Sequence, residues 1–370
     1  MKPFTIAFDA RPLSTSVSGV GRLIAETLIH FPEKEKFQFH GFSHLPIHES
    51  HRKVLDLPNI VFHEGRGQLA KKGGLYFLFQ MPFVINELKP DLYWGSQQVT
   101  PIFLSSSIPT VLTYCDLVLY LFPDTMRTIA AIQQKFFQSS SVKKAKYILS
   151  ISENTRNDLL KKFTYYPREK TGVAYPGVSL KEIESKLKEK CSLNLPEKYL
   201  LAVSTIEPRK NYPFLLNVFR EYRKLAGVKK LPLVIVGKRG WERSSFFIEL
   251  EEEIKTHKDI FWFENTSDIE LHHIYSRAEV FIFTTIYEGF GIPLLEAIAH
   301  KKKCIASNVP TLREIGEGVM PFLDLDDPKK FASEILVLQD EKKYPIIDLE
   351  KFSWQASSKI THDAFLKVLT

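Results

Sequence analysis

Cysteine is scarce. The 370-residue chain has three, Cys115, Cys191 and Cys304, with no C-x-x-C pair and none of the dense, even spacing of a disulfide scaffold. A reducing compartment is the simpler expectation. Long apolar runs are missing too: none reaches the ~20 residues that span a bilayer, so an integral membrane protein is not expected. The opening MKPFTIAFDARP has one lysine and a short apolar strand followed by a charge, without the apolar core and small-residue cleavage site of a signal peptide. These absences point to the cytoplasm. Zinc-finger spacing and the aromatic signatures of RNA-binding modules are also lacking, which lowers a nucleic-acid role.

What is present suits a globular protein of two domains. At about 150 residues per domain the length calls for two cores, and 44% hydrophobic with 25% charged residues allows both to be buried. A formal charge of +7 suits an anionic partner, whether nucleic acid, a membrane face or a phosphate-bearing substrate.

Short β-branched and aromatic runs alternate with longer amphipathic segments, the pattern of parallel sheets covered by helices, so the fold class is α/β. In the first half the strand candidates are FTIAFDA, FQFHGFS, NIVFHEG, DLYWGS, PTVLTYCD and KYILSIS, the last followed by a capped helix SENTRNDLLKKF. After VAYPGV comes a charged stretch poor in strand signals, and the boundary is placed near Gly177. A second series follows: YLLAVSTI, LPLVIVGK, DIFWFE, EVFIFTT and KCIAS. The expected organisation is a Rossmann-like domain over 1–178, a connector over 179–195 that doubles as a hinge, a second Rossmann-like domain over 196–350, and a helix over 351–370 able to pack on either domain, a return to the amino-terminal one included.

The richest stretch is EVFIFTTIYEGFGIPLLEAIAHKKK, an apolar strand leading through a glycine-containing turn into a helix with Pro293 near its start. Glu288 stands in the loop and Glu296 on the helix. A carboxylate accepts two hydrogen bonds at once, so each suits the paired hydroxyls of a sugar or ribose. Gly289 and Gly291 let backbone approach a ligand, and the helix start would hold a diphosphate between the two carboxylates. The plainer alternative makes Glu288 a solvated loop residue and Glu296 an acid favoured near a helix start. The second element is TIEPRKN, where Arg209 and Lys210 follow a strand at the end where open α/β sheets bind ligands. Two adjacent cations there can neutralise a departing diphosphate, although such a pair is more often surface charge.

TIEPRKN followed by EGFGIPLLEA resembles family 4 of the retaining glycosyltransferases with the GT-B fold, the glycosyl transferases group 1. SGVGR, CDLVLYLFPD, SENTRNDL, YPGV, VGKRGW and SDIELHHIYSRAEVF stand in that family's usual order. The resemblance implies two Rossmann-like parallel-sheet domains facing each other across a cleft, and transfer of a sugar from a nucleotide-diphosphate donor without a metal or further cofactor. It gives Glu288 the donor sugar, Glu296 the ribose and Arg209 with Lys210 the diphosphate. Phe290, Gly291 and Ile292, with Gly289, would offer amides to sugar and phosphates, and Gly237 and Lys238 would lie near the base, with Asn265 and Thr266 beside them. It sets Gly19 and Gly21 at the wall facing donor sugar and acceptor, and adds Asp116 to the catalytic set. Without a third glycine the G-x-G is no dinucleotide fingerprint.

Two departures stand out: Cys115 replaces a histidine common before that aspartate, and Ser204 or Thr205 holds the place of an additional arginine, whose charge Arg209 is expected to take over. The wording is closest to bacterial mannosyltransferases using GDP-mannose. The implied partners are a nucleotide-diphosphate sugar and a glycan or lipid-linked saccharide acceptor used in cell-surface polysaccharide synthesis, with no nucleic acid.

Other signals are read more plainly. Asp324 to Asp326 resembles a metal motif of a different fold, but DLDDPKKF is a helix start capped by Asp327. His272 and His273 lie in a helical pattern without further ligands at metal spacing, and Lys301 to Lys303 close a helix. The stretch KKGGLYFLFQMPFVINELK is either a docking surface for the inner membrane face or a lipid-linked acceptor, or a buried core helix. The competing functions are a sugar-nucleotide epimerase of the same fold, a catalytically silent nucleotide-sugar-binding subunit, and a nucleic-acid binder suggested by charge alone.

Overall fold

A computed structural model describes residues 2–16, 18–123 and 128–370. The chain forms two units, Met1–Gly177 with Glu350–Thr370, and Val178–Leu349. Among the described residues no helix is long and apolar enough to cross a membrane.

The first unit is built on seven parallel strands: β1 (Phe4–Asp9), β2 (Phe37–Ser43), β3 (Ile60–Glu64), β4 (Leu92–Gly95), β5 (Thr110–Tyr114), β6 (Tyr147–Ser150) and β7 (Thr171–Val173), in the order β3-β2-β1-β4-β5-β6-β7. Every residue of β4 and β5 is buried, as continuous apolar strands covered on both faces must be. Phe8, Trp94 and Leu149 form one core with Phe31 and Phe37. The final helix Trp354–Leu369 belongs to this core because its apolar stripe fits there: Phe365 lies 5.9 Å from Trp94 and 5.6 Å from Phe31. The Ser358 hydroxyl donates to the Thr27 carbonyl at 3.1 Å.

The second unit has six parallel strands, β8 (Tyr199–Val203), β9 (Leu233–Val236), β10 (Ile260–Phe263), β11 (Ala278–Phe283), β12 (Lys303–Ser307) and β13 (Phe322–Leu323), in the order β10-β9-β8-β11-β12-β13. In each sheet the chain runs outward from a middle strand, returns, and builds the other side. The connections leaving β1 and β4, and those leaving β8 and β11, therefore diverge, and a crevice opens at the carboxyl ends of each such pair. Both units thus have the GT-B halves' Rossmann-like architecture.

Two strands escape a reading of the sequence. β7 has three residues, one of them Gly172, and β13 has two. Both sit at sheet edges, where one neighbour suffices. Residues 179–195, expected as a connector, lie in the second unit: Ser179 caps the helix Leu180–Leu187, Ile183 is buried, and this helix packs on Asp268–Arg277. His273 Nε2 donates to the Glu189 carbonyl at 2.8 Å, fixing the end of the segment.

Candidate functional site

The site grows from the two loops that diverge from β8 and β11. Beyond β8, Pro208–Lys210 makes a single 3-10 turn. Asn211 then adopts φ of 53°, a left-handed conformation asparagine tolerates, and turns the chain into the helix Tyr212–Ala226 with Pro213 in its first turn. Beyond β11, Thr285 and Ile286 clasp this turn: the Thr285 hydroxyl and the Ile286 amide both donate to the Arg209 carbonyl, at 3.0 and 2.8 Å.

That clasp brings together charges 78 residues apart. Glu288 is 6% exposed; its Oε2 accepts from Arg209 Nη1 at 2.7 Å and its Oε1 from Lys210 Nζ. Arg209 Nη1 also donates to the Tyr287 carbonyl at 3.0 Å, and Nη2 donates to Glu207 at 2.7 Å. The Thr311 hydroxyl, donating to the Glu288 carbonyl at 2.8 Å, anchors the loop from a third element. Two cations and two carboxylates thus cancel in a nearly dry setting. Burial opposes the Glu288 charge, but Arg209 and Lys210 overcome it and hold the carboxyl below its ordinary value. Burial dominates at Lys210, pulling its ammonium below the usual lysine value although Glu288 pulls the other way. The pair is charged and under electrostatic tension.

The turn from Glu288 into the helix Ile292–Ala299 depends on glycine. Gly291 has φ of 112°, and a Cβ there would lie 2.5 Å from Leu312 Cδ2. Gly289 and Phe290 are buried beside it, and Ile292 opens the helix, whose first amides have no partner within the helix. Glu296, 5% exposed, accepts from the Tyr275 hydroxyl at 2.9 Å. Tyr275 is stacked on His300, which burial drives down to about 3 and so keeps neutral, and His300 shares a hydrogen bond with His272 at 2.9 Å. His272 is a core residue.

Gly237 ends β9 with φ of 150°, and a Cβ there would lie 1.9 Å from the Ser204 carbonyl oxygen. No other residue fits this crossing of the β8 and β9 loops. The Trp262 indole donates to the Gly237 carbonyl at 2.8 Å, and Lys238 stands exposed next to it. Gly19, Gly21 and Asp116 belong to the amino-terminal unit. Gly19 begins the helix Gly19–Ile29, and the Gly21 amide donates to the capping Ser18 hydroxyl at 3.1 Å. Asp116 is half-buried and accepts from the Val118 amide at 3.1 Å. Cys115 is buried, which pushes its thiol up to about 12, so it is no thiolate at neutral pH. Asp124, the last residue of CDLVLYLFPD, lies outside the described residues. Asp327 accepts from the Lys329 and Lys330 amides at 2.9 and 3.2 Å, as a cap does.

Three groups were not singled out in the sequence. Glu207 is 4% exposed and shares Arg209 with Glu288; its place two residues before an arginine in a strand-to-helix loop is the available signal. Tyr275 carries none beyond helical spacing. In the amino-terminal unit, Asp9 ends β1 fully buried and accepts from Arg11 Nε at 2.9 Å, from Arg11 Nη2 at 2.7 Å and from Gln97 Nε2 at 2.8 Å. This cluster occupies the crevice between β1 and β4.

A nearly dry cluster of two cations, a carboxylate that can exchange partners, a glycine turn and a second carboxylate on the following helix is suited to a ligand with both a diphosphate and vicinal hydroxyls. Residues 184–320 match the family described as Glycosyl transferases group 1. Over 97% of this chain and 99% of the other, the sequence is 24% identical to the O-antigen chain mannosyltransferase B of Escherichia coli. It is 27% identical to the O-antigen chain mannosyltransferase RfbU of Salmonella typhimurium over 76% of this chain and 75% of that one. The fold is similar to that of Anabaena Alr3699/HepE, solved with UDP and glucose, with a TM-score of 0.66 at 14% identity, covering 99% and 97% of the two chains. The group 1 region over 184–320 encloses Glu288, Glu296 and the basic pair, and the chain has the GT-B fold and resembles bacterial O-antigen mannosyltransferases.

Proposed function

We propose that the chain transfers a hexose, mannose from GDP-mannose, to a glycan or lipid-linked acceptor in the synthesis of a cell-surface polysaccharide, with retention of anomeric configuration. The observation that carries this reading is the charge-compensated cluster of Arg209, Lys210 and Glu288 in the crevice between β8 and β11. The names of the E. coli and Salmonella relatives support mannose and O-antigen-like products.

In this reading the donor's diphosphate competes with Glu288 and Glu207 for Arg209 and Lys210. As the bond from sugar to phosphate lengthens, negative charge grows on the leaving diphosphate, and two preformed cations in a low-dielectric site stabilise it. They supply charge that a metal ion would otherwise bring. Glu288, released from part of its pairing, accepts hydrogen bonds from sugar hydroxyls and faces the positive charge developing on the ring. Glu296, held by Tyr275, takes the ribose hydroxyls, while Gly237 and Lys238 flank the base. The acceptor is assigned to the amino-terminal unit, where Gly19, Gly21 and Asp116 are its candidate neighbours.

The test is thermal stabilisation of the full chain by GDP-mannose against UDP-, ADP- and dTDP-sugars, since a ligand bound only by the folded state raises its melting temperature. Selective stabilisation by GDP-mannose, followed by mannosyl transfer giving the α-anomer from the α-linked donor, is the expected outcome. Stabilisation by a different donor alone would overturn the sugar assignment, and conversion of the donor without any acceptor would replace the transferase by an epimerase.

A further inference from the structure

The segment 73–88 combines two environments on one continuous stretch. Tyr76, Phe77, Met81, Pro82 and Ile85 are buried against the sheet of the first unit, while Leu75, Phe79, Phe83 and Val84 face solvent. Phe79 and Phe83 are 47% and 55% exposed, and both rings lie against Phe103, itself 49% exposed, at centroid distances of 6.1 and 6.2 Å. A shared cluster of three large exposed rings is more than the scattered surface apolar residue of an ordinary monomer. Phe103 is held in place from behind, because Asn86 donates to its carbonyl at 2.9 Å.

Cations accompany this patch: the Arg66 carbonyl accepts from Gln80 Nε2 at 2.9 Å, next to Phe79 in sequence. Between residues 64 and 91 the exposed cations are Arg66, Lys71, Lys72 and Lys89, against the acids Glu64, Glu87 and Asp91. Lys144 reaches the Ile102 carbonyl at 3.1 Å and adds a further cation next to Phe103. Aromatic rings bordered by lysines match the boundary between acyl chains and anionic headgroups, where rings lie at the interface and ammonium groups meet phosphate. A second copy docking by two-fold symmetry would instead bring like charges together.

We propose that the face formed by Phe79, Phe83 and Phe103, with Lys144 beside it and the exposed Lys71 and Lys72 leading into it, docks on an anionic lipid bilayer. The proposal deepens the lipid-linked acceptor reading and rests on it for its purpose, whereas binding to lipid is measured without donor or acceptor.

The experiment is co-sedimentation of the full chain with vesicles of phosphatidylethanolamine and phosphatidylglycerol, compared with pure phosphatidylcholine, at low and high salt. Binding to the anionic vesicles that weakens with salt is expected. Lys71→Glu with Lys72→Glu should weaken it on the order of twenty-five-fold or more, since each lysine near such a surface contributes about five-fold. Phe79→Ser, Phe83→Ser and Phe103→Ser together should abolish it while stabilisation by the donor persists; if the triple variant fails to fold, Phe83→Ser alone, at the most exposed ring, must weaken binding. No binding to anionic vesicles, or equal binding by the folded variants, overturns the proposal. So does a concentration-dependent dimer that the serine variants dissolve, which would make the face a self-association surface. Loss of donor stabilisation in the parent chain would instead count against the transferase reading and leave the lipid result standing.

Discussion

Glu288→Gln separates the structural share of the charge cluster from its chemical share. Glutamine keeps the side chain's size and removes one of two anions, leaving Glu207 against Arg209 and Lys210, a net excess of one positive charge. Breaking one partner of a buried ion pair costs about 3–5 kcal/mol. Arg209 retains Glu207 and keeps 18% of its side chain exposed, so the lower end applies, about 3 kcal/mol, and most of it falls on Lys210. For a unit of this size that corresponds to a melting temperature lower by about 6–12 °C.

The deficit should also depend on pH in a defined sense. In the parent chain the lowered Glu288 value means that its contribution is present above the ordinary carboxylate range and is lost only as pH falls below it. In the variant Lys210 loses the partner that was raising its value, so burial lowers it further and it sheds its proton at a lower pH than the same residue in the unfolded chain. The unfolded state then binds more protons, stability rises with pH, and the gap between variant and parent narrows on the alkaline side. A nucleoside diphosphate should narrow it as well, by replacing the missing anion. The assay is differential scanning fluorimetry of both chains across pH, with and without GDP, together with transfer rates. A variant as stable as the parent, or one whose gap widens with pH, would refute the account of the cluster. Near-normal transfer would refute the role of Glu288.

Tyr275→Phe removes the hydroxyl that orients Glu296 and leaves the ring packing on His300 in place. A hydrogen bond to a charged group is worth about 1.5–3 kcal/mol, so donor KM should rise about ten-fold or more with kcat little changed; a fall in kcat alone would show that Glu296 is not a ribose anchor. Asp327→Ala should lower the melting temperature by about 2–4 °C through loss of a cap worth ~1 kcal/mol. Transfer should be unaffected by this substitution and by EDTA, whereas a metal-dependent loss in either experiment would reinstate the Asp324 to Asp326 run as a cation site.

The parts of this molecule legible in the sequence are those whose physics is local. β1, β2 and β8 announce themselves through short apolar runs, and Ser152 and Asp327 announce their helices through caps that reach only three residues along the chain. The edge strands β7 and β13 do not, because a strand of two or three residues is made by its neighbour. The same distinction runs through the site. Arg209, Lys210, Glu288 and Glu296 are visible as motifs, yet nothing local says that Glu288 pairs with both cations, since the pairing exists only once β8 and β11 lie side by side. Gly237 reads as an ordinary turn glycine until the Ser204 carbonyl arrives 1.9 Å from where its Cβ would be.

This difference alters what an alanine substitution can mean. Removing Glu288 entirely adds a cavity to an uncompensated Lys210 in a setting with little water, so lost activity in Glu288→Ala would mix a misfolded loop with missing chemistry. Glutamine, which preserves volume and can still accept a hydrogen bond at its amide oxygen, leaves charge as the variable. The cluster is therefore also what holds its two loops together, and under the proposed function donor binding must exchange one set of ion pairs for another.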